Sequence, residues 1–284
     1  MSQQLDDYVV VGNPIAHSKS PFIHTRFASD TEQAMRYRAL LAPLDGFAES
    51  VLGFRRTGGV GMNVTVPFKL EAFSMATHLT ARAQMAGAVN TLKFEGEQIL
   101  GDNTDGVGLV SDIVRNANTS LLNKRVLLLG AGGAARGVLL PLLAERPQVL
   151  HIANRSIDKA QQLVALIKSA GIKTDTQVTS SNFLDIPDNH AAFDVVINAT
   201  SAGLSDQAPE ISSSVFAAGC LAVDMLYGKQ PSAFLRMASE RNAITRDGLG
   251  MLVEQAAEAF YFWRGIRPST DAVLREVRQL VDAA

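Results

Sequence analysis

The chain has 284 residues, of which 47% are hydrophobic and 19% are charged, and its formal net charge is −2. A chain of this length is expected to divide into two domains, because single hydrophobic cores stop growing near this size. The nearly balanced charge gives no electrostatic reason to bind nucleic acid or an anionic membrane, so we expect neither partner.

The N-terminal part alternates apolar strand-like runs with helical patterns, which is typical of parallel sheets covered by helices. The run YVVVG predicts a strand, and SPFIHTRFAS predicts a helix with Ser20 as its N-cap and Pro21 in its first turn. YRALLA and GVGMNVTV predict two further strands. AVNTLKFEGEQILGDNTDG predicts two strands joined at Glu95, Gly96 and Glu97.

The second part opens with NKRVLLLGAGGAARGVLLPLLAE, which predicts a strand, a turn and a helix. Four more strands are predicted at VLHIAN, TDTQVT, FDVVINAT and LAVDML. The C-terminal segments RDGLGMLVEQAAEAFYFWRG and STDAVLREVRQLVDA predict two helices, whose apolar faces we expect to pack on the N-terminal sheet. The predicted fold is therefore α/β, with two domains.

The only cysteine, Cys220, lies in the apolar run AAGCLAV, where we expect a core residue without a disulfide. The first residues, MSQQLDDYVVVG, have neither the basic nor the apolar region of a signal peptide. These features predict a cytoplasmic protein.

A glycine-rich turn follows the first strand of the second part. Its residues Gly130, Ala131, Gly132, Gly133 and Ala134, with the alanine that follows, match the pattern G-x-G-x-x-A between a strand and a helix. In that context the glycines let backbone N–H groups approach a pyrophosphate at the helix N-terminus. The alternative is a glycine-rich turn that binds no ligand.

The end of the next strand indicates which dinucleotide binds. NAD sites usually have an acid there that accepts from the ribose 2′-hydroxyl, whereas an arginine accommodates a 2′-phosphate. Here the strand ends in Asn154, Arg155 and Ser156, and Lys159 follows one turn later. A guanidinium and an ammonium suit a phosphate, so the sequence favours NADP over NAD.

Polar residues also stand at strand and helix ends outside the nucleotide-binding block. Ser18 and Ser20 could bind a carboxylate near helix N–H groups, although a capping role also explains Ser20. Lys69 ends the stretch NVTVPFK, where it is either a solvated first-turn residue or a reactive amine. The five histidines show no metal-ligand spacing, so we expect no metal site.

Taken together, the polar stretches resemble the shikimate dehydrogenase family. The matching stretches, in order, are GNPIAHSKSPFIH, NVTVPFK, AGAVNT, GDNTDGVG, GAGGAARG, NRS, NATSAG, DMLYG and DGLGMLVEQAAEAF, and they cover almost the whole chain. The resemblance implies a substrate-binding and catalytic domain formed by residues 1–106 and 248–284, and a Rossmann-like NADP domain formed by residues 107–247. It also implies NADPH-dependent reduction of 3-dehydroshikimate to shikimate, on the route to chorismate and the aromatic amino acids. We expect a monomer or a homodimer.

The resemblance assigns roles to individual residues. The catalytic lysine of the family falls on Lys69, as general acid and base, and its partner carboxylate falls on Asp105. The substrate residues fall on Ser18, Ser20, Thr65, Asn90, Tyr227 and Gln255. The cofactor contacts fall on Gly130, Ala131, Gly132, Gly133, Ala134, Asn154, Arg155, Ser156, Lys159, Met225 and Gly248.

Two positions depart from the family pattern. Ala81 stands where many members have an acid, which puts a cofactor contact there in doubt, and Lys159 stands where arginine is frequent. Two other functions are compatible with the resemblance: an NAD-dependent quinate/shikimate dehydrogenase, or a non-catalytic NADP-binding regulator. Arg155 argues against NAD, and the intact Lys69 and Asp105 positions argue against a regulator.

Overall fold

The chain folds into two compact units, and each contains a six-stranded sheet in the part of the chain that the structure describes. The computed structural model describes residues 5–187, 192–200, 202 and 206–283. The first unit runs to Gly108 and resumes over Leu252–Leu280, and the second unit covers Leu109–Met251 and resumes at Val281. The domain boundaries predicted after residues 106 and 247 fall slightly before these points. The structure also groups Val281 with the second unit, whereas we expected the whole C-terminus in the first.

The first part of the chain forms the strands and helices up to Ser111. They are β1 (Asp6–Gly12), α1 (Ser20–Asp30), β2 (Met35–Leu41), α2 (Phe47–Arg56), β3 (Gly59–Val64), α3 (Lys69–Met75), β4 (His78–Leu79), α4 (Ala81–Ala86), β5 (Thr91–Glu95), β6 (Gln98–Asp102) and α5 (Asp105–Ser111). A π-helical turn over Asp112–Asn116 continues α5. The strands pair in the order β2-β1-β3-β5-β6-β4.

The first sheet is mixed, which corrects the expectation of a parallel sheet. Strand β1 is parallel to β2 and β3, but β5 is antiparallel to both of its neighbours, β3 and β6. The turn that joins β5 to β6 contains only Gly96 and Glu97, with Gly96 at φ +54°. So short a connection joins antiparallel strands, because a parallel pair needs a long crossover.

The rest of the chain forms the remaining elements. They are β7 (Arg125–Leu129), α6 (Gly133–Ala144), β8 (Val149–Ala153), α7 (Ile157–Ser169), β9 (Gln177–Ser181), β10 (Phe193–Asn198), β11 (Phe216–Asp224), α8 (Ala233–Ser239), β12 (Ile244–Arg246), α9 (Leu249–Arg264) and α10 (Asp271–Asp282). The strand order is β12-β11-β10-β7-β8-β9, and all pairs are parallel. This is the order of a dinucleotide-binding sheet, whose ligand site lies beyond the carboxyl ends of the strands where the order reverses, next to β7.

The central strands of the second sheet are largely apolar, as is typical of parallel strands that are buried on both faces. All five residues of β8 are buried, and four of the five residues of β7 are buried. This burial explains why the sequence shows continuous apolar runs there rather than alternation.

Helix α9 packs on the first sheet, as predicted. The ring of Trp263 lies 4.7 Å from the ring of Tyr8 on β1, centroid to centroid, and its Nε1 donates to the Leu92 carbonyl of β5 at 2.9 Å. His24 of α1 stacks on Tyr37 in the same cluster, with ring centroids 4.2 Å apart. Among the described residues, no helix combines the length and apolar character needed to cross a membrane.

Candidate active site and cofactor pocket

The structure brings together the lysine and the carboxylate that the sequence pairs as catalytic residues. Lys69 is the first residue of α3, and Asp105 is the first residue of α5. The Lys69 Nζ donates to the Asp105 Oδ2 at 2.7 Å. The Lys69 side chain keeps 30% of its surface exposed and Asp105 keeps 13%, so the pair is oriented and still reachable.

Two predicted substrate residues lie beside this pair. The Asn90 side chain, just before β5, donates from Nδ2 to the second oxygen of Asp105, Oδ1, at 2.8 Å. It also donates to the Gln255 Oε1 on α9 at 3.0 Å. Lys69, Asp105, Asn90 and Gln255 therefore form one connected polar cluster in the first unit.

The turn that carries Asp105 is held by a buried ion pair that the motifs do not reveal. The fully buried Asp102 carboxylate accepts two hydrogen bonds from Arg82 and one from the Thr80 hydroxyl at 2.6 Å. Arg82 also donates to Glu258 of α9 at 2.9 Å, which links this turn to the helix of Gln255. Removing one partner of such a pair leaves the other charge buried without a partner, which strongly destabilises the protein. Arg82 directly follows Ala81, the position that departs from the family pattern.

The serines and Thr65 follow neighbouring strands. Ser18 lies in the loop after β1, and Thr65 directly follows β3. Because β1 and β3 are parallel neighbours, both residues lie beyond the same edge of the first sheet. The Ser18 Oγ accepts the N–H of Ser20 at 3.3 Å. The N-cap prediction for Ser20 is wrong: Lys19 occupies the cap position, and Ser20 is the first helical residue. This leaves the Ser20 hydroxyl free of capping duty.

The Ser20 side chain lies near Tyr37. Burial raises the pKa of Tyr37 well above its usual value, and the nearby Ser20 side chain opposes that rise. The Tyr37 hydroxyl also donates to the Asn63 Oδ1 of β3 at 2.7 Å. Tyr37 and Asn63 therefore connect the serine loop to the strand that leads to Lys69.

Three predicted site residues lie elsewhere, in the second unit. Tyr227 lines a cavity of about 290 Å³ with Asp247 and Arg236, and burial and then Asp247 raise its pKa. Met225 and Gly248 touch each other, since a Cβ on Gly248 would meet the Met225 carbonyl oxygen at 2.2 Å. Neither Met225 nor Gly248 lines the pocket formed by the other predicted cofactor residues.

The other predicted cofactor residues line one pocket of about 630 Å³. They are Gly130, Ala131, Gly132, Gly133, Ala134, Asn154, Arg155, Ser156 and Lys159. Gly130 has φ +105°, a backbone conformation that favours glycine. A Cβ on Gly132 or Gly133 would meet open space, so the backbone at the start of α6 faces an unobstructed cradle. This geometry fits a pyrophosphate at a helix N-terminus.

The lining of the pocket also fits the predicted 2′-phosphate. Arg155 and Lys159 both line it, and among its described lining residues none is acidic. An NAD site would need a hydrogen-bond acceptor for the ribose hydroxyl, usually a carboxylate. The residues present therefore fit NADP better than NAD.

Several lining residues escaped the sequence reasoning. They are Phe183, Ala199, Thr200, Ala202, Gln207 and Pro209. Thr200 lies in the motif NATSAG and donates to the buried Asn198 Oδ1 at 2.7 Å, so the motif was a signal that could have found it. Phe183 and Gln207 lie in no motif that we recognised.

The histidines form no metal centre in the described part of the chain. No group of three histidine, cysteine or acidic side chains that could hold a metal ion occurs there. His190 lies outside the described residues. His24 and His151 are buried, which suits packing rather than coordination.

Comparison with known families identifies the chain. A model of the shikimate dehydrogenase substrate binding domain matches residues 10–92, a shikimate / quinate 5-dehydrogenase model matches residues 112–207, and a shikimate 5′-dehydrogenase C-terminal domain model matches residues 248–278. The shikimate dehydrogenase (NADP(+)) of Herminiimonas arsenicoxydans is 60% identical over 278 residues, which span 98% of this chain and 99% of the relative. The chain belongs to the shikimate dehydrogenase family.

Solved structures with similar sequences share the fold. An Ael1 enzyme from Pseudomonas putida is 47% identical and superposes with a TM-score of 0.88, covering 95% of this chain and 97% of that one. The shikimate 5-dehydrogenase of Thermus thermophilus in complex with NADP(H) and shikimate is 28% identical, with a TM-score of 0.81 and coverage of 97% and 99%. Membership in the family therefore extends over both units.

Proposed function

We propose that this protein catalyses the reversible, NADPH-dependent reduction of 3-dehydroshikimate to shikimate, a step towards chorismate and the aromatic amino acids. The observation that carries the proposal is the contact of the Lys69 ammonium with the Asp105 carboxylate at 2.7 Å, beside Asn90 and Gln255. The NADP(+) enzyme from Herminiimonas arsenicoxydans, at 60% identity, supports the same activity and cofactor.

Reduction of a ketone needs a hydride at carbon and a proton at oxygen. NADPH supplies the hydride when it is bound at the glycine turn. Lys69 donates the proton to the carbonyl oxygen in reduction and removes it from the hydroxyl in oxidation, as a general acid and base. Asp105 fixes the direction of the amine by accepting one of its three protons.

The substrate is a carboxylate with several hydroxyls, and the first unit offers groups for both. Ser18 and Ser20 are assigned to the carboxylate, since their hydroxyls stand at the start of α1. Thr65, Asn90 and Gln255 are assigned to the ring hydroxyls. Tyr227, on the second unit, stays a predicted substrate residue.

Two broader expectations accompany the activity. We place the enzyme in the cytoplasm, since its single cysteine, Cys220, is buried and unpaired. We expect a monomer or a homodimer, which size-exclusion chromatography with light scattering distinguishes.

The decisive experiment follows the absorbance of reduced nicotinamide while the purified protein oxidises shikimate or quinate, each with NADP or NAD. We expect turnover with shikimate and NADP, and Lys69→Ala serves as the inactive control. A preference for quinate and NAD would identify the alternative dehydrogenase. Binding of NADP without turnover of either substrate would indicate a regulator and contradict the proposal.

A further inference from the structure

A chain of side-chain hydrogen bonds leads from the interior of the first unit to the catalytic pair. It starts at the Tyr37 hydroxyl and passes through Asn63 and Thr91 to Asn90, which donates to Asp105. Thr91, the first residue of β5, is fully buried and cannot touch a substrate directly. Any effect of Thr91 on the reaction must therefore act through its neighbours.

The direction of each bond follows from groups that can only donate or only accept. The Asn63 Nδ2 faces the backbone carbonyl of Asn90 at 3.3 Å and the Thr91 Oγ1 at 3.1 Å. Because a carbonyl can only accept, the NH₂ group of Asn63 must point this way. The Thr91 oxygen thus accepts from Asn63, and its own proton is directed to the Asn90 Oδ1 at 2.9 Å.

The orientation of the Asn90 amide is determined in the same way. Its Oδ1 accepts the backbone N–H of Thr104 at 2.9 Å, a group that can only donate, as well as the Thr91 hydroxyl. The Thr104 hydroxyl contacts both ends of the amide, so it does not select an orientation. The NH₂ group of Asn90 is left to face Asp105 at 2.8 Å and Gln255 at 3.0 Å.

The donor and acceptor directions of these hydrogen bonds determine which groups of the cluster face the substrate. The Gln255 Oε1 is occupied by Asn90, so the NH₂ group of Gln255 is the end turned away from Asn90 and available as a donor. The Asp105 Oδ1 is occupied as well, while its Oδ2 holds Lys69. Asn90 therefore sets the positions of a substrate donor and of the catalytic carboxylate together.

We propose that Thr91 is a positioning residue for the reaction: its hydroxyl holds the Asn90 amide, and through Asn90 it orients Asp105 and Gln255. The inference rests on the proposed function. In a Thr91→Val variant, a methyl group replaces the oxygen that accepts from Asn63 and donates to Asn90. Asn63 and Asn90 then lose a partner, and Asn90 shifts away from the position that aligns Asp105.

The kinetic test compares Thr91→Val and Thr91→Ser in the full-length chain, with shikimate and NADP as substrates. A misplacement of up to about 1 Å at a catalytic group costs up to about 100-fold, so we expect Thr91→Val to lower kcat by about 10- to 100-fold. KM for shikimate should rise because Gln255 is displaced, and the pH profile of kcat/KM should change shape. Thr91→Ser keeps the hydroxyl and should restore all three parameters to nearly wild-type values.

Thr57→Val is the control for loss of a threonine hydroxyl at an exposed position of the same unit, away from the polar cluster. The Thr57 Oγ1 donates to the Phe54 carbonyl at 2.8 Å at the end of α2. This variant should lose stability without any change in kcat or KM. Equal kinetic losses in Thr57→Val and Thr91→Val, or no rescue by serine, would overturn the positioning role.

Two further measurements keep the inference testable. If Thr91→Val does not fold, Tyr37→Phe removes the donor that lies two hydrogen bonds away from Thr91, and it should cause a smaller loss of kcat. Unchanged kinetics in Tyr37→Phe would contradict the inference. The side-chain amide signals of Asn90 and Gln255 in isotope-labelled NMR spectra should shift in Thr91→Val and not in Thr57→Val. Since that readout needs no turnover, unmoved signals refute the positioning role, whereas an inactive wild type refutes the proposed function.

Discussion

Two buried histidines, one in each unit, should make the protein sensitive to mild acid. His24 is fully buried against Tyr37, Trp263 and Phe260, and burial lowers its pKa to about 3, although the nearby Asn63 side chain opposes this. For His151, burial and then Arg125 lower the pKa to about 4.

The direction of the change in stability with pH follows from the lower histidine pKa in the folded state. An unfolded histidine titrates near about 6.5, so above that pH neither state binds the proton and the full stability is present. As the pH falls below about 6.5, the unfolded chain takes up a proton that the folded chain refuses until about pH 3 for His24, and stability is lost. A pH of about 5 lies about 1.5 units below the pKa of the unfolded histidine, which corresponds to a loss of about 2 kcal/mol for each histidine.

The assay is urea unfolding of wild type and His24→Phe at about pH 7.5 and about pH 5. Trp263 is the only tryptophan and lies beside His24, so its fluorescence reports the first unit. The free energy of unfolding measured this way should fall by about 2 kcal/mol more in wild type than in the variant. Phenylalanine suits the site because the His24 ring nitrogens make no hydrogen bond of normal geometry among the described residues.

His78→Phe makes the same substitution at an exposed position and should leave the acid sensitivity of the fluorescence transition unchanged. Circular dichroism reports on both units. In the His24→Phe variant it should still show the loss of stability at acid pH that His151 causes. If His24→Phe loses as much stability by the fluorescence probe as wild type does, the histidine is not the acid-sensitive group and the reasoning fails.

Three further outcomes test the proposed site. Lys69→Ala should lower kcat by about 10²- to 10⁴-fold with little change in KM, and a kcat of this variant within about threefold of wild type would falsify the role. Because Asp105 acts together with Lys69, the double variant with Asp105→Asn should lose much less kcat than the product of the two single losses. Arg155→Ser should weaken NADP binding by about 10- to 150-fold, the range for a hydrogen bond to a charged group, and calorimetry should find NAD binding unchanged; an equal loss for both refutes the 2′-phosphate contact. Ser18→Ala with Ser20→Ala should raise KM for shikimate more than it lowers kcat, since a carboxylate contact persists into the transition state; a normal KM places the carboxylate elsewhere.

The parts of the fold that the sequence predicted are those with strong local signals. The continuous apolar run of β7 followed by a glycine turn predicts a strand, a turn and a helix, and the structure confirms all three. The two-residue strand β4 was not predicted, because its pairing with β6 depends on a distant partner and leaves no periodic pattern. The same limit applies to β5, whose antiparallel position next to β3 is a pairing choice that no local propensity records.

The residues of the candidate site likewise differ in whether the sequence carries a signal for them. Lys69 and Asp105 stand 36 positions apart, and only the family motifs indicated that they meet. Arg82 and Asn63 support the site through hydrogen bonds to residues that are distant in sequence, and Thr91 joins Asn63 to its neighbour Asn90. In the sequence, such a supporting residue looks like any other strand or helix residue. Their roles follow from donor and acceptor geometry, which becomes visible only after folding.

The two interpretations of Lys69 that the sequence left open differ in solvation, not in position. The structural interpretation placed Lys69 in the first turn of a helix, and it does open α3. A cation there opposes the partial positive charge of the helix N-terminus, whereas Asp105 at the start of α5 is favoured by the same effect. Solvent could screen an exposed lysine at little cost, but only 30% of the Lys69 side chain is exposed, and its amine is turned onto the carboxylate. Asp105 is thus the group that stabilises the ammonium at an otherwise unfavourable position, and the same contact orients the amine in the way that the proposed proton transfer requires.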